Sequence, residues 1–160
     1  MNTADRSEAS GPLQGLEILD LGTMIAGPVA CTVLADFGAE VIKVEEPRSG
    51  DPMRHIGPFE QGESLWWNVE ARNKKSVTLD LKQPAGRALL LQLVAQADAV
   101  VENFRPGAMA RLGLAYEDLK QVNPRIVLLS ISGFGQTGPY AARAGYDRIA
   151  QAFGGLLHIS

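Results

Sequence analysis

Leu16-Glu17-Ile18-Leu19-Asp20, then Leu21-Gly22-Thr23-Met24-Ile25-Ala26-Gly27, then Pro28 to Phe37, then Gly38-Ala39-Glu40-Val41-Ile42-Lys43-Val44-Glu45, is the stretch whose reading decides the fold. An apolar run ends at Asp20, a glycine-bounded loop runs from Gly22 to Gly27, and a helical run starts at Pro28. Pro28 lacks an amide hydrogen that the first helical turn cannot use, and Gly38 can take the left-handed conformation that ends a helix, so the helix is bracketed Pro28 to Phe37. Its expected buried stripe is Val29, Val33, Leu34 and Phe37. Glu40 to Val44 is short and β-branched, which suits a buried parallel strand. Strand, tight loop, helix, parallel strand is the order that sets a ligand-ready loop at the end of the first strand.

The same alternation continues outward from this unit. Gly50 to Gly62 reads as a long charged loop, and a short helical run holding Leu65, Trp66 and Val69 follows it. Ser76 to Leu81 alternates polar and apolar as a strand does. Pro84 opens a helix in which Ala85, Leu89, Leu90, Leu93, Val94 and Ala97 share a face, and Ala99 to Glu102 is the next strand. Asn103-Phe104-Arg105-Pro106-Gly107 is a loop by composition. Helical stretches from Ala108 to near Gly113 and from Tyr116 to Gln121 precede a fifth strand, Ile126 to Ile131. Gly133 to Pro139 is glycine-rich, and a last helix starts at Tyr146 and reaches Phe153. Five short strands interleaved with helices predict an α/β fold with an open, doubly wound, mostly parallel (Rossmann-like) sheet. Ligands of such sheets sit beyond the carboxyl ends of the strands, so the loops of interest are Gly22 to Gly27, Glu45 to Arg54, Asn103 to Gly107 and Gly133 to Pro139.

Composition narrows the function classes. At 160 residues and 46% hydrophobic the chain can bury one core, so residues 12–160 are expected to form one domain behind a flexible, polar tail of residues 1–11. A net charge of -3 offers no global attraction to nucleic acid or anionic membrane. The one cysteine, Cys31, excludes a disulfide framework and suits a reducing compartment, no apolar run approaches the roughly 20 residues of a membrane span, and residues 1–11 lack the pattern of a signal peptide. A cytoplasmic protein is expected.

Several chemistries are missing their residues. Glu45 stands at about the right distance to hold a nicotinamide ribose, yet the loop at Gly22 has no G-x-G-x-x-G. Its G-x-x-x-x-G is followed by Pro28-Val29, where a P-loop needs lysine and a hydroxyl residue. His55 and His158 lack further ligands at metal spacing, so no metal site is expected. Ser130 and Ser132 sit in no nucleophile motif. Of the neighbouring Trp66 and Trp67, which could stack adenine, one is expected in the core. Asp51 and Arg54 could pair across their loop, and an exposed pair of that kind contributes little. Arg72, Lys74 and Lys75 read either as a solvated basic surface or as phosphate partners.

A series of motifs in fixed order goes further. Ala26-Gly27-Pro28, Gly38 to Glu45, Gly50-Asp51 with Arg54, Asn73-Lys74-Lys75-Ser76, Leu79-Asp80-Leu81-Lys82, Glu102 to Gly107, and Gly133-Phe134-Gly135 leading to Gly145-Tyr146-Asp147 together resemble the class III coenzyme A transferases. That family includes the formyl-CoA and carnitine CoA transferases and the α-methylacyl-CoA racemases, and the likeness runs from about Pro12 to Ser160.

The resemblance implies a coenzyme A thioester and a carboxylic acid as substrates, with no further cofactor, nucleic acid or membrane partner. It implies that Ile25 and Ala26 line the pantetheine and thioester end. Leu79, Asp80, Leu81 and Lys82 would flank the nucleotide with Asn103, Phe104 and Arg105, Arg111 would meet a phosphate, and Ala144, Gly145, Tyr146 and Asp147 would close over the acyl region. Coenzyme A needs cations and amides for its phosphates and an apolar slot for adenine. The transferases use an aspartate nucleophile, which passes through a mixed anhydride to an enzyme-bound CoA thioester. In the family that aspartate follows a segment matching Tyr146-Asp147 and Gln151-Ala152-Phe153-Gly154-Gly155, so its position falls beyond Ser160, Asp147 does not occupy it, and residues 1–160 alone are expected to be inactive. Family members are longer, with a second domain and two interlocked chains, so a homodimer is implied and this chain represents the nucleotide-binding half. In the racemase branch a catalytic histidine falls where this chain has Tyr146, and tyrosine, with a pKa of about 10, is a poor base at neutral pH. A non-catalytic coenzyme A-binding fragment is the other alternative. Ile25 stands where oxalate-using members carry glutamine, and Gln136 to Asp147 looks like members that act on dicarboxylic acids such as succinate and glutarate.

Overall fold

A computed structural model describes residues 11–159, so the expected tail lies almost wholly outside the described residues. Five strands, β1 (Glu17–Asp20), β2 (Glu40–Glu45), β5 (Lys74–Thr78), β6 (Ala99–Glu102) and β7 (Val127–Ser130), form one sheet in the order β5-β2-β1-β6-β7, every pair parallel. The chain winds outward from β1 to β2 and β5, then returns to β6 on the other side of β1. The switch point of this doubly wound sheet therefore lies between β1 and β6, where the loops at their carboxyl ends diverge and leave a crevice.

Helices cover both faces. On one face α3 (Pro84–Val94) and α5 (Tyr116–Val122) pack Leu90, Val94 and Leu119 against Leu19, Leu21, Val44 and Val100 of the sheet, with Met109 from the short α4 (Ala108–Arg111) closing the end. The other face carries α1 (Ala26–Asp36), where Cys31 and Ala35 meet Ile18, Val41 and Val101. Two-residue strands β3 (Phe59–Glu60) and β4 (Glu63–Ser64) form a hairpin before α2 (Leu65–Glu70), and Ser64 caps that helix by accepting the Trp67 amide. Beyond β7 lie α6 (Asp147–Phe153) and a four-residue α7 (Leu156–Ile159).

Several sequence expectations change. The contact face of α1 is not its large apolar stripe: Val33 and Phe37 are about half exposed, and Gly27, Pro28, Cys31, Thr32 and Ala35 are buried instead. Small side chains let the helix lie close over a sheet face that carries charged groups. In α3, Leu90 and Val94 are buried with Gly86, while Ala85 and Leu89 face solvent. The third strand of the sheet runs Lys74–Thr78, earlier than Ser76 to Leu81, because Leu79 to Lys82 leave the sheet as a loop toward the crevice. Trp67 is the tryptophan of the pair that enters the core, with the Arg54 guanidinium 3.9 Å above its ring, whereas Trp66, Leu65 and Val69 are exposed. The hairpin β3–β4 and α7 had no counterpart in the sequence reading.

Candidate functional site

The crevice is a cleft of ≈ 510 Å³ whose wall runs from the carboxyl ends of β2, β1 and β6 to the loops that follow β5 and β6. Its apolar lining comes from Leu21, Val44, Leu79, Leu81, Phe104 and Leu112. Lys82, Arg105 and Arg111, all exposed, bring positive charge to it, and Glu46 brings a carboxylate. An apolar slot edged by cations can take a flat ring and an anion side by side.

At the floor, the loop Gly22–Met24 is held almost entirely by side chains. Asp20 accepts the Gly22 amide (3.0 Å), and Lys43 donates to the Gly22 carbonyl. The Asn103 side-chain amide makes a reciprocal pair with Thr23, accepting its N–H (2.7 Å) and donating to its carbonyl (2.8 Å). Asp51 accepts the Met24 amide (3.1 Å) and the Met53 amide (2.9 Å). Behind this loop the charges compensate one another. The Lys43 ammonium lies 3.1 Å from Asp51 and 3.6 Å from Asp20, while Lys74 reaches Asp20 at 2.9 Å and donates to the Pro28 carbonyl at 2.7 Å. Asp20 and Lys43 are register partners on adjacent strands, so the pairing follows from the sheet itself. Beside them the Cys31 thiol is pushed up to about 12 by burial, with Asp20 adding to the effect, so it stays a neutral core group.

Glu45 is equally occupied. Arg54 binds it in a two-pronged contact (2.7 and 2.8 Å), Ser76 donates at 2.6 Å, and the Asp51 amide donates at 2.9 Å. Burial pushes this carboxyl up, but the Arg54, Ser76 and amide hydrogen bonds outweigh it and bring it down to about 2. No oxygen is left to hold a ribose, which removes the one feature that favoured a dinucleotide. Arg54 therefore pairs with Glu45 and Asp51 with Lys43, where the sequence alone allowed an exposed pair between Asp51 and Arg54. Lys74 is also not a surface cation, its side chain being 2% exposed, whereas Arg72 and Lys75 stay exposed and pair with Asp36 and Glu40.

Of the residues singled out from the sequence, Leu79, Asp80, Leu81, Lys82, Asn103, Phe104, Arg105 and Arg111 come together in the cleft lining. Ile25 and Ala26, both exposed at the start of α1, lie outside that lining, as do Ala144, Gly145, Tyr146 and Asp147 around the start of α6. Gly145 packs backbone to backbone on Gly133, where an added Cβ would meet the Gly145 Cα at 2.4 Å. Thr23, Glu46 and Gly50, which also line the cleft, lie in the loops that the sequence marked as ligand-facing without being named as site residues, and Lys43 was missed. For Lys43 a signal existed: a lysine inside the apolar run Val41 to Val44, one strand away from Asp20.

Residues 13–160 match the family described as CoA-transferase family III. The chain is 51% identical over 150 residues, 93% of its length, to the succinyl-CoA–D-citramalate CoA-transferase of Chloroflexus aurantiacus, and 49% identical over 93% of its length to the succinyl-CoA:glutarate CoA-transferase of Mus musculus. It spans 37% and 34% of those two relatives. The crystal structure of a CAIB/BAIF family protein from Brucella suis superposes with a TM-score of 0.85 at 45% identity, covering 91% of this chain and 39% of that one. With the fold, the order of its motifs and these likenesses in agreement, the chain belongs to the CoA-transferase family III.

Proposed function

We propose that this chain carries the coenzyme A-binding part of an enzyme that moves coenzyme A between carboxylic acids, dicarboxylic acids among them. The observation that carries the reading is the cleft at the switch point, where Leu79, Leu81 and Phe104 offer an apolar slot beside the cations Lys82, Arg105 and Arg111. In this reading the slot takes adenine, Arg111 and its neighbours take the phosphates, and the pantetheine arm runs toward Ile25 and Ala26. The acyl group then meets Ala144, Gly145, Tyr146 and Asp147. The dicarboxylate preference is supported by the printed names of the two relatives, which pair succinyl-CoA with citramalate and with glutarate.

The chemistry in this reading needs no metal or redox group. An aspartate that is not among residues 1–160 attacks the thioester carbonyl, the C–S bond breaks, and a mixed anhydride forms with release of the CoA thiolate. The thiolate attacks the aspartyl carbonyl and releases the donor acid, leaving an enzyme-bound CoA thioester, and the acceptor carboxylate reverses the two steps. The cleft's part is to hold the nucleotide so that the thioester is presented rather than merely bound. To test this, the intact protein is incubated with succinyl-CoA and a panel of mono- and dicarboxylic acids, with products read by mass spectrometry. New acyl-CoA species that persist with chelator are expected with dicarboxylic acceptors; succinyl-CoA left unchanged with every acid would overturn the reading.

A further inference from the structure

We infer that the buried ions Asp20, Lys43 and Asp51 are positioning residues for the β1–α1 loop, setting the backbone of Gly22–Met24 in the conformation that faces the cleft. The inference rests on reading that cleft as the coenzyme A site, and it assigns to these three side chains a role exerted through the loop.

Three observations carry it. Asp20 is fully buried and Lys43 and Asp51 are each 2% exposed, and charges so far from water are an expensive way to fill space, since apolar residues of like volume serve stability as well or better. What ions supply and hydrocarbon cannot is direction. The direction here is toward the backbone: Asp20 takes the Gly22 N–H, Lys43 takes the Gly22 carbonyl, and Asp51 takes the Met24 N–H. Finally, Met24 holds φ at +63°, a left-handed conformation that a non-glycine residue keeps only when its surroundings impose it. Lys43 stands between the two carboxylates: Asp51 gives Oδ1 to the Met24 amide and turns Oδ2 to Lys43, whereas Asp20 meets both the Gly22 amide and Lys43 through Oδ1 and turns Oδ2 to Lys74. Lys74 completes the charge balance from β5 and ties the same cluster to the first turn of α1 through Pro28.

The experiment compares Asp51→Ala, Asp51→Asn and Lys43→Met in the intact protein. Hydrogen exchange by mass spectrometry is followed in peptides over residues 21–25, with peptides from β6 and α3 as internal references, alongside coenzyme A affinity by calorimetry and kcat for acyl exchange. Asp51→Ala is expected to speed exchange in residues 21–25 at least tenfold with β6 and α3 unchanged, and to lower kcat at least tenfold while the Kd for coenzyme A moves less than threefold. Asp51→Asn retains an oxygen that can accept the Met24 and Met53 amides, so it keeps most of the protection and most of the turnover. Lys43→Met, of similar volume, reproduces the loop-confined effect should the alanine variant not fold. Unchanged loop exchange in Asp51→Ala and Lys43→Met overturns the inference. So does exchange that rises equally in β6 and α3, because the ions then support only the fold. If the wild-type protein moves no coenzyme A, the functional reading fails by itself and the exchange pattern still decides the role of the ions.

Discussion

The Glu45 carboxylate spends both oxygens inside the protein, and the consequence can be measured in acid. It ionises at about 2 in the folded chain against an ordinary 4.5, so its contribution to stability is complete above pH 4.5 and is lost as pH falls from there toward 2. Lowering pH through that window is expected to depress Tm, and Glu45→Gln should flatten that dependence while lowering Tm at neutral pH; an unchanged acid slope in the variant would refute the assignment. The cations divide in the same concrete way. Arg111 is exposed at the cleft and has no ion-pair partner among the described residues, so Arg111→Ala should weaken coenzyme A binding roughly tenfold by calorimetry with little change in Tm. Lys74→Ala removes half of a buried pair with Asp20 and should cost about 3–5 kcal/mol of stability, read as a fall in Tm. From sequence the two looked alike in kind, because a lysine carries no mark of burial until its partner, fifty-four positions earlier, is brought beside it.

Among the elements, the strand–helix alternation and the strands Glu40 to Val44, Ala99 to Glu102 and Ile126 to Ile131 were readable because period and punctuation are local properties. The face of α1 was not. Periodicity selects large apolar residues, and here the helix packs through Gly27, Cys31, Thr32 and Ala35 because Asp20, Lys43 and Lys74 lie beneath its first turns. The cleft was readable in its outer loops, Leu79 to Lys82 and Asn103 to Arg105 with Arg111, and hidden at its floor, where distant side chains meet on the sheet. Gly86 joins the two levels. A Cβ there would meet the Asp80 carbonyl at 2.1 Å, so Gly86→Ala should push α3 away from the Leu79–Lys82 loop. The expected result is a lower Tm together with weaker coenzyme A binding; a variant with wild-type affinity would show that the loop is not held by that contact.

For the molecule as a whole, the two sheet faces are unequally covered. Val127 and Leu129 of the edge strand β7 pair with Ala99 and Val101 on the α1 side, yet they remain 60% and 43% exposed because α1 does not extend that far across the sheet. A bare apolar face on an edge strand invites association. Residues 1–160 produced alone are therefore expected to sediment heavier than the 17.1 kDa monomer, and Val127→Lys should return them toward it. A monomer at all concentrations would contradict this.

Gly133 and Gly145 press their backbones together and so close the neck of the segment between them, over which a partly exposed aromatic cluster forms: Phe134, Tyr140 and Phe153 of α6 meet edge to face at 5.1–5.9 Å, and Arg143 lies over Tyr140. A loop closed at its base and clasped to the following helix by one ring behaves as a cassette. The tip between the rings, Gln136 to Gly138, can therefore change length and composition while the closed base and the cleft at the switch point stay as they are.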